Sequence, residues 1–243
     1  MCTVTYLPLS SEGFILTSNR DERDSRPDAI EPEKYSVNNT LLMYPKDPLK
    51  GGTWITASEN GKVLCLLNGA FVKHIPNENY SISRGQVILD YFLFNNAIQF
   101  VNEYAFTYIE PFTLIILEDD QLFELRWDGL KYTLSNLSVN EPHIWSSVTL
   151  YSDDTILARE SWFKDWLQKY PFYSSKDIID FHRFGGTGNT FNDLRMSRDD
   201  GYNTVSISSI KKMEADIIIF YEDLKNNKNI TKELQLKERL LQK

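Results

Sequence analysis

Residues 1–23 read MCTVTYLPLSSEGFILTSNRDER. From residue 1 to residue 9, polar and apolar side chains alternate around Val4, Tyr6 and Pro8, the period-2 pattern of a half-buried strand. Ser10-Ser11-Glu12-Gly13 has the composition of a turn, and residues 13–17 (GFILT) form a second short apolar run behind it. The stretch therefore predicts strand, turn, strand, with the charged cluster Asn19-Arg20-Asp21-Glu22-Arg23 directly after the second strand. If the two strands pair antiparallel, that cluster lies beside the start of the first and hence close to Cys2.

Working outward, residues 20–48 are rich in charge and contain Pro27, Pro32, Pro45 and Pro48, which predicts a long irregular excursion with one edge strand at residues 41–44. A loop of that length usually carries function. Residues 53–57 (TWITA) and 62–67 (KVLCLL) flank Ser58-Glu59-Asn60-Gly61, and Asn-Gly between β-rich runs predicts a hairpin. Three- and four-residue apolar spacing predicts helices over 83–94, with Ser83 as N-cap, and over 97–104. A second hairpin is expected from residues 111–117 and 121–127. Residues 154–170 predict a helix capped by Asp153 or Asp154 that buries Ile156, Leu157, Trp162, Phe163 and Trp166. A shorter helix follows over 175–184, started at Asp177 and stopped by Gly185. Residues 204–210 and 215–221 return to strands, and the Lys-, Asn-, Glu- and Leu-rich residues 228–243 predict an exposed terminal helix. The order points to an α+β fold of antiparallel sheets covered by helices, in a single domain over residues 1–243.

The chain has 243 residues, 42% of them apolar, enough to bury a full core without disulfides or metals. Lys plus Arg number 26 against 34 Asp plus Glu, a net charge of −8 with no basic block, which argues against nucleic acid or an anionic membrane surface as partner. Two cysteines, Cys2 and Cys65, fit a reducing compartment. A secretory signal needs a basic start and then an apolar run of roughly 7 to 15 residues. Residues 1–10 have neither, and later apolar runs are far shorter than the ~20 residues that span a bilayer. The expectation is a soluble, cytoplasmic protein with a small-molecule substrate or ligand; a homo-oligomer is left open.

Cysteine in second position is the first candidate for chemistry. A small second residue normally leads to removal of the initiator methionine, which leaves Cys2 with a free α-amine beside its thiol. The amine titrates at about 7.7 to 8.0 and the thiol at about 8.5, so nucleophile and base share one residue. An Arg in the cluster after the second strand can depress the thiol pKa or bind a substrate carboxylate, and an Asp can hold the α-ammonium. Cys65, between Leu64 and Leu66, reads as a buried inert thiol. His74, His143 and His182 lack metal-ligand spacing and are expected to be surface or structural residues. Gly185-Gly186-Thr187-Gly188-Asn189 lacks the Lys and the preceding strand of a phosphate loop and is expected to be a flexible loop.

Met1-Cys2-Thr3, Asn19-Arg20-Asp21-Glu22, Gly51-Gly52-Thr53-Trp54, Asn68-Gly69 and Ser83-Arg84-Gly85, in this order, resemble the NRDE family, also called the transport and Golgi organisation protein 2 family. The resemblance is strong over roughly the first half of the chain and weak beyond it. That family is similar to the N-terminal nucleophile (Ntn) hydrolases of the choloylglycine hydrolase and penicillin V acylase type, which implies a four-layer αββα sandwich. It implies Cys2 as nucleophile, Arg20 and Asp21 as the charged pair and Asn68 as oxyanion donor. The implied activity is hydrolysis of a non-peptide C–N bond, a linear amide, through a thioester, with no cofactor and no metal. Asn19, Glu22, Trp54, Ser147 and Asn203 are the expected substrate-binding positions. The order of Arg and Asn in the charged cluster departs from the acylase pattern. So does Ser147, in the segment His143-Ile144-Trp145-Ser146-Ser147, where the acylases carry an Asn. Asn203 stands where they carry a late Arg, with Arg195 and Arg198 nearby. Family ties to lipid, acyl-CoA and haem handling imply an alternative, a non-catalytic binding protein on the same fold.

Overall fold

The alternation in the opening residues is that of two paired strands, β1 (Thr3–Leu9) and β2 (Gly13–Arg23), antiparallel with Thr3 opposite Asn19. The structure, a computed structural model, describes residues 3–9, 13–75, 80–214 and 216–237. β1 and β2 sit in a six-stranded antiparallel sheet with β10 (His143–Ser146), β11 (Tyr202–Met213), β12 (Asp216–Asp223) and β13 (Lys228–Gln235), in the order β10-β1-β2-β11-β12-β13. The second sheet is an antiparallel meander in sequence order: β3 (Ile30–Val37), β4 (Thr40–Lys46), β5 (Ile55–Ser58), β6 (Val63–Asn68), β7 (Phe112–Glu118), β8 (Gln121–Trp127) and β9 (Tyr132–Leu137).

The main core lies between the sheets and under α1 (Arg84–Asp90) and α2 (Ala97–Glu103), where Val4, Leu16, Cys65, Leu114, Ile210 and Phe100 are fully buried. A smaller cluster packs Leu7 and Ile15 against Phe163 and Trp166 of α3 (Asp153–Lys169) and Ile178 and Phe181 of α4 (Ser175–Phe184). Period-2 alternation explains both: Val4, Tyr6, Phe14 and Leu16 point to the second sheet, Leu7 and Ile15 to the helices. The layers are helix, sheet, sheet, helix. No helix among the described residues is long and apolar enough to cross a membrane.

Several expectations need correction. The excursion over 20–48 is largely strand: β2 continues to Arg23, and β3 and β4 form a hairpin around Asn38 and Asn39 at φ 46° and 59°. Pro32 fits because β3 is an edge strand whose register shifts between Ile30 and Glu33, so its missing N–H breaks no ladder. Residues 228–235 are strand rather than helix, since pairing along the whole of β12, from Asp216–Gln235 to Asp223–Lys228, overrides a helix-like composition; residues 238–243 lie outside the described residues. Ser152, not Asp153 or Asp154, caps α3, and its buried residues are Thr155, Arg159, Phe163 and Trp166, while Leu157 is exposed. Ser83 precedes α1 without a side-chain cap, and α1 gives way at Tyr91 to a single 3₁₀ turn.

Candidate active site

β2 divides the charged cluster between its two faces. Arg20 continues the inward series of Phe14 and Leu16: its guanidinium lies 4.5 Å over the Trp54 ring, and Nη2 donates to Asp47 Oδ2 at 3.2 Å. Arg26 Nη2 donates to the same oxygen at 2.6 Å, while the backbone amides of Leu49 and Lys50 donate to Oδ1. Burial alone pushes the Asp47 carboxyl up, but the hydrogen bond and charge of Arg26, with Arg20 adding, hold it below the usual carboxylate range.

A cleft of about 300 Å³ opens beside this pair. Arg20 and Glu22 line it from β2, Leu66 and Asn68 from one face of β6, Trp54 from the loop before β5, and Ser83, Arg84 and Gly85 from the start of α1. The loop and the helix meet backbone to backbone: Thr53 N donates to Gly85 O at 3.2 Å, and a Cβ on Gly52 would sit 2.4 Å from Gly85 C. Only glycine fits at that approach. Four of the separate motifs seen in the sequence thus furnish the wall of one cleft.

Asp21 faces the other way, toward the helices. Tyr151 donates its hydroxyl to Oδ2 and Thr204 Oγ1 donates to Oδ1 at 2.5 Å. Behind Tyr151 stands fully buried Arg159, its guanidinium 3.7 Å over the ring, donating to Thr3 Oγ1 at 2.5 Å and to the carbonyls of Asn192 and Asp193. Asn19, also fully buried, is bonded to His182 and Leu194. Ser147 Oγ donates to Asn68 O at 2.8 Å and so ties the end of β10 to the end of β6. Asn203 Nδ2 donates to Asp24 at 2.7 Å. Asn19, Asp21, Ser147 and Asn203 are not among the residues lining the cleft. Cys2 lies outside the described residues; its chain neighbour Thr3 pairs with Asn19 and Ser146.

Sequence reasoning missed Tyr151, Arg159 and Thr204, which carry no local motif, and Asp47 and Arg26, which sit in the charge- and proline-rich stretch whose length was itself the signal. Cys65 is fully buried, and burial pushes its thiol up to about 12. His182 is fully buried and structural, as expected of it. In the loop over 185–189, Asp193 accepts from the amides of Thr187 and Gly188, so a carboxylate of the chain itself occupies those donors. Among the described residues no cluster of His, Cys, Asp and Glu could hold a metal ion.

The model of the family described as Transport and Golgi organisation 2 matches residues 1–182. No curated protein matches the sequence. Similar solved structures include a mutant of the conjugated bile acid hydrolase from Clostridium perfringens in which the cysteine at position 2 is replaced by alanine, with a TM-score of 0.60 at 12% identity over 96% of this chain and 92% of that one. A second variant of that hydrolase, with an arginine replaced by leucine, scores 0.58 at the same identity and coverage. The Caenorhabditis elegans N-acylethanolamine-hydrolyzing acid amidase ortholog scores 0.51 at 12% identity, over 86% of this chain and 92% of that one. At that identity the likeness is one of fold, an Ntn-hydrolase-like sandwich.

Proposed function

For a chain that belongs to the Transport and Golgi organisation 2 family, we propose an N-terminal cysteine hydrolase acting on the C–N bond of a linear, non-peptide amide. With Met1 removed, the Cys2 α-amine takes the thiol proton and Sγ adds to the substrate carbonyl carbon. Asn68 donates to the oxyanion of the tetrahedral adduct, an interaction of a kind that contributes roughly 10²- to 10³-fold in rate. The C–N bond then breaks, the amine leaves with the proton held by the α-ammonium, and water cleaves the thioester to release the acid. Arg20 binds or polarises the substrate, Glu22 and Trp54 contact it, and Asp21, whose carboxylate accepts from Tyr151 and Thr204 on the opposite face of β2, positions the α-amine from that side rather than from within the cleft.

The observation that carries this reading is the convergence of Arg20, Glu22, Trp54 and Asn68 on one cleft. A non-catalytic ligand-binding protein is the second reading, favoured by Ser147 and Asn203 being engaged with Asn68 and Asp24 rather than lining that cleft. A panel of acyl amides assayed with the wild type and Cys2→Ala separates the two. The hydrolase reading expects turnover by the wild type that falls to background in the variant; equal rates, or none in either, leave the binding reading.

A further inference from the structure

We propose that the ligand of this cleft carries an anionic group, a carboxylate or other oxyanion, so that the substrate class is an acidic amide. The inference rests on the hydrolase reading for naming the cleft as the substrate site. It starts from the balance of charge. Arg20, Arg26, Lys50 and Arg84 line the cleft against Glu22, Asp47 and Glu110, four cations to three carboxylates, in a chain whose net charge is −8.

Each of those carboxylates is engaged inside the protein. Asp47 accepts from Arg20 and Arg26 and from two backbone amides. Glu110 pairs with Arg84 at 3.0 Å and with His74 at 2.9 Å. Glu22 accepts from the Arg23 amide and lies 3.9 Å from Arg26. The donors are not all engaged. Lys50, exposed at the rim, makes no ion pair among the described residues. Trp54, only 5% exposed, has no hydrogen-bond acceptor for its Nε1 among the described residues. A buried N–H without an acceptor is costly, so a wall whose carboxylates each face a cation of the protein, with one cation and one buried donor over, is complementary to a ligand rich in acceptors. A neutral head group would leave Lys50 unpaired, and a cationic one would compete with Arg20, Arg26 and Arg84 for carboxylates that already face them.

The test compares two probes that differ in one group, N-octanoylglycine and N-octanoylethanolamine, by calorimetric titration of the Cys2→Ala protein, in which turnover is blocked. The acid is expected to bind about tenfold more tightly than the neutral probe. That advantage shrinks as salt is raised, because Lys50 is exposed. Lys50→Gln, a surface change that leaves folding intact, is expected to weaken the acid about threefold and leave the neutral probe unmoved. Equal affinity for the two probes, equal loss of both in Lys50→Gln, or no binding of the acid at millimolar concentration overturns the inference. Hydrolysis of the same probes by the wild type is read separately: preference for the acid without turnover would sink the hydrolase reading and leave the anionic ligand standing.

Discussion

The side-chain amide of Asn19 donates to two carbonyl oxygens, His182 O at 3.2 Å and Leu194 O at 2.6 Å, which fixes its Oδ1 toward the ring of His182. His182 Nδ1, 2.7 Å from that oxygen, must therefore carry the proton, and Nε2 accepts from Thr5 Oγ1 at 2.8 Å. A second ring proton, on Nε2, would require Thr5 Oγ1 to turn from donor to acceptor. Burial first, and then the charge of Arg159, push the imidazole down to about 3. The sign of the linkage follows. Above the ordinary value of 6.5 the ring is neutral in both states; between 6.5 and about 3 the unfolded chain binds a proton that the native one refuses. Native stability then falls on acidification through that window by about 1.4 kcal/mol per pH unit from this residue. His182→Gln is expected to cost about 1 to 3 kcal/mol at pH 7 and to flatten the decline between pH 6.5 and about 4 in urea unfolding. An unchanged slope would show that the ring is protonated in the native state.

At the scale of elements, the cleft depends on a loop and a helix meeting without side chains between them. Gly52 and Gly51 separate two effects of adding a methyl group. At Gly52 a Cβ would meet the backbone of Gly85 at 2.4 Å, whereas at Gly51, with φ +74°, it would meet nothing within 4 Å and only the backbone angle would object. Gly52→Ala is expected to lower stability by about 1 to 3 kcal/mol and to weaken binding in the cleft. Gly51→Ala is expected to cost about 1 kcal/mol and to leave binding alone. Urea midpoints and ligand titration of both variants check this, and equal effects on binding would contradict it. The same contact shows what was legible in the sequence. The hairpin at Asn60-Gly61 has strong local chemistry, Gly61 lying at φ +83°, and was readable directly. The turn at Asn38-Asn39 has the same left-handed backbone but stands between strands rich in charge and proline, which masked it. β13 was hidden for a different reason, because its composition favours helix and only its long-range pairing with β12 makes it a strand. In the candidate site, residues in compact motifs, Arg20, Trp54 and Asn68, were visible as a set; Tyr151, Arg159 and Thr204 act through tertiary contacts that no local pattern encodes.

Across the whole molecule, the two sheets are tied together close to the cleft. Arg20 crosses from the first sheet to Asp47 beside the second, and Ser147 joins β10 to the end of β6. A site assembled from both sheets requires those ties, since neither sheet alone brings Arg20 and Asn68 to one cavity. The fold is one that conjugated bile acid hydrolase and the acid amidase ortholog share at 12% identity. Fold alone does not fix chemistry, so the hydrolase proposal turns on the reactivity of a single thiol, with Cys65 as its internal control. The most direct measurement is peptide-mapped alkylation of the untagged native protein near pH 7, with its intact mass recorded alongside. The expected result is a mass lacking Met1 and a single label, on Cys2, with none on Cys65, whose thiol burial has pushed up to about 12. A retained Met1, or a Cys2 that reacts no faster than Cys65, would contradict the proposal.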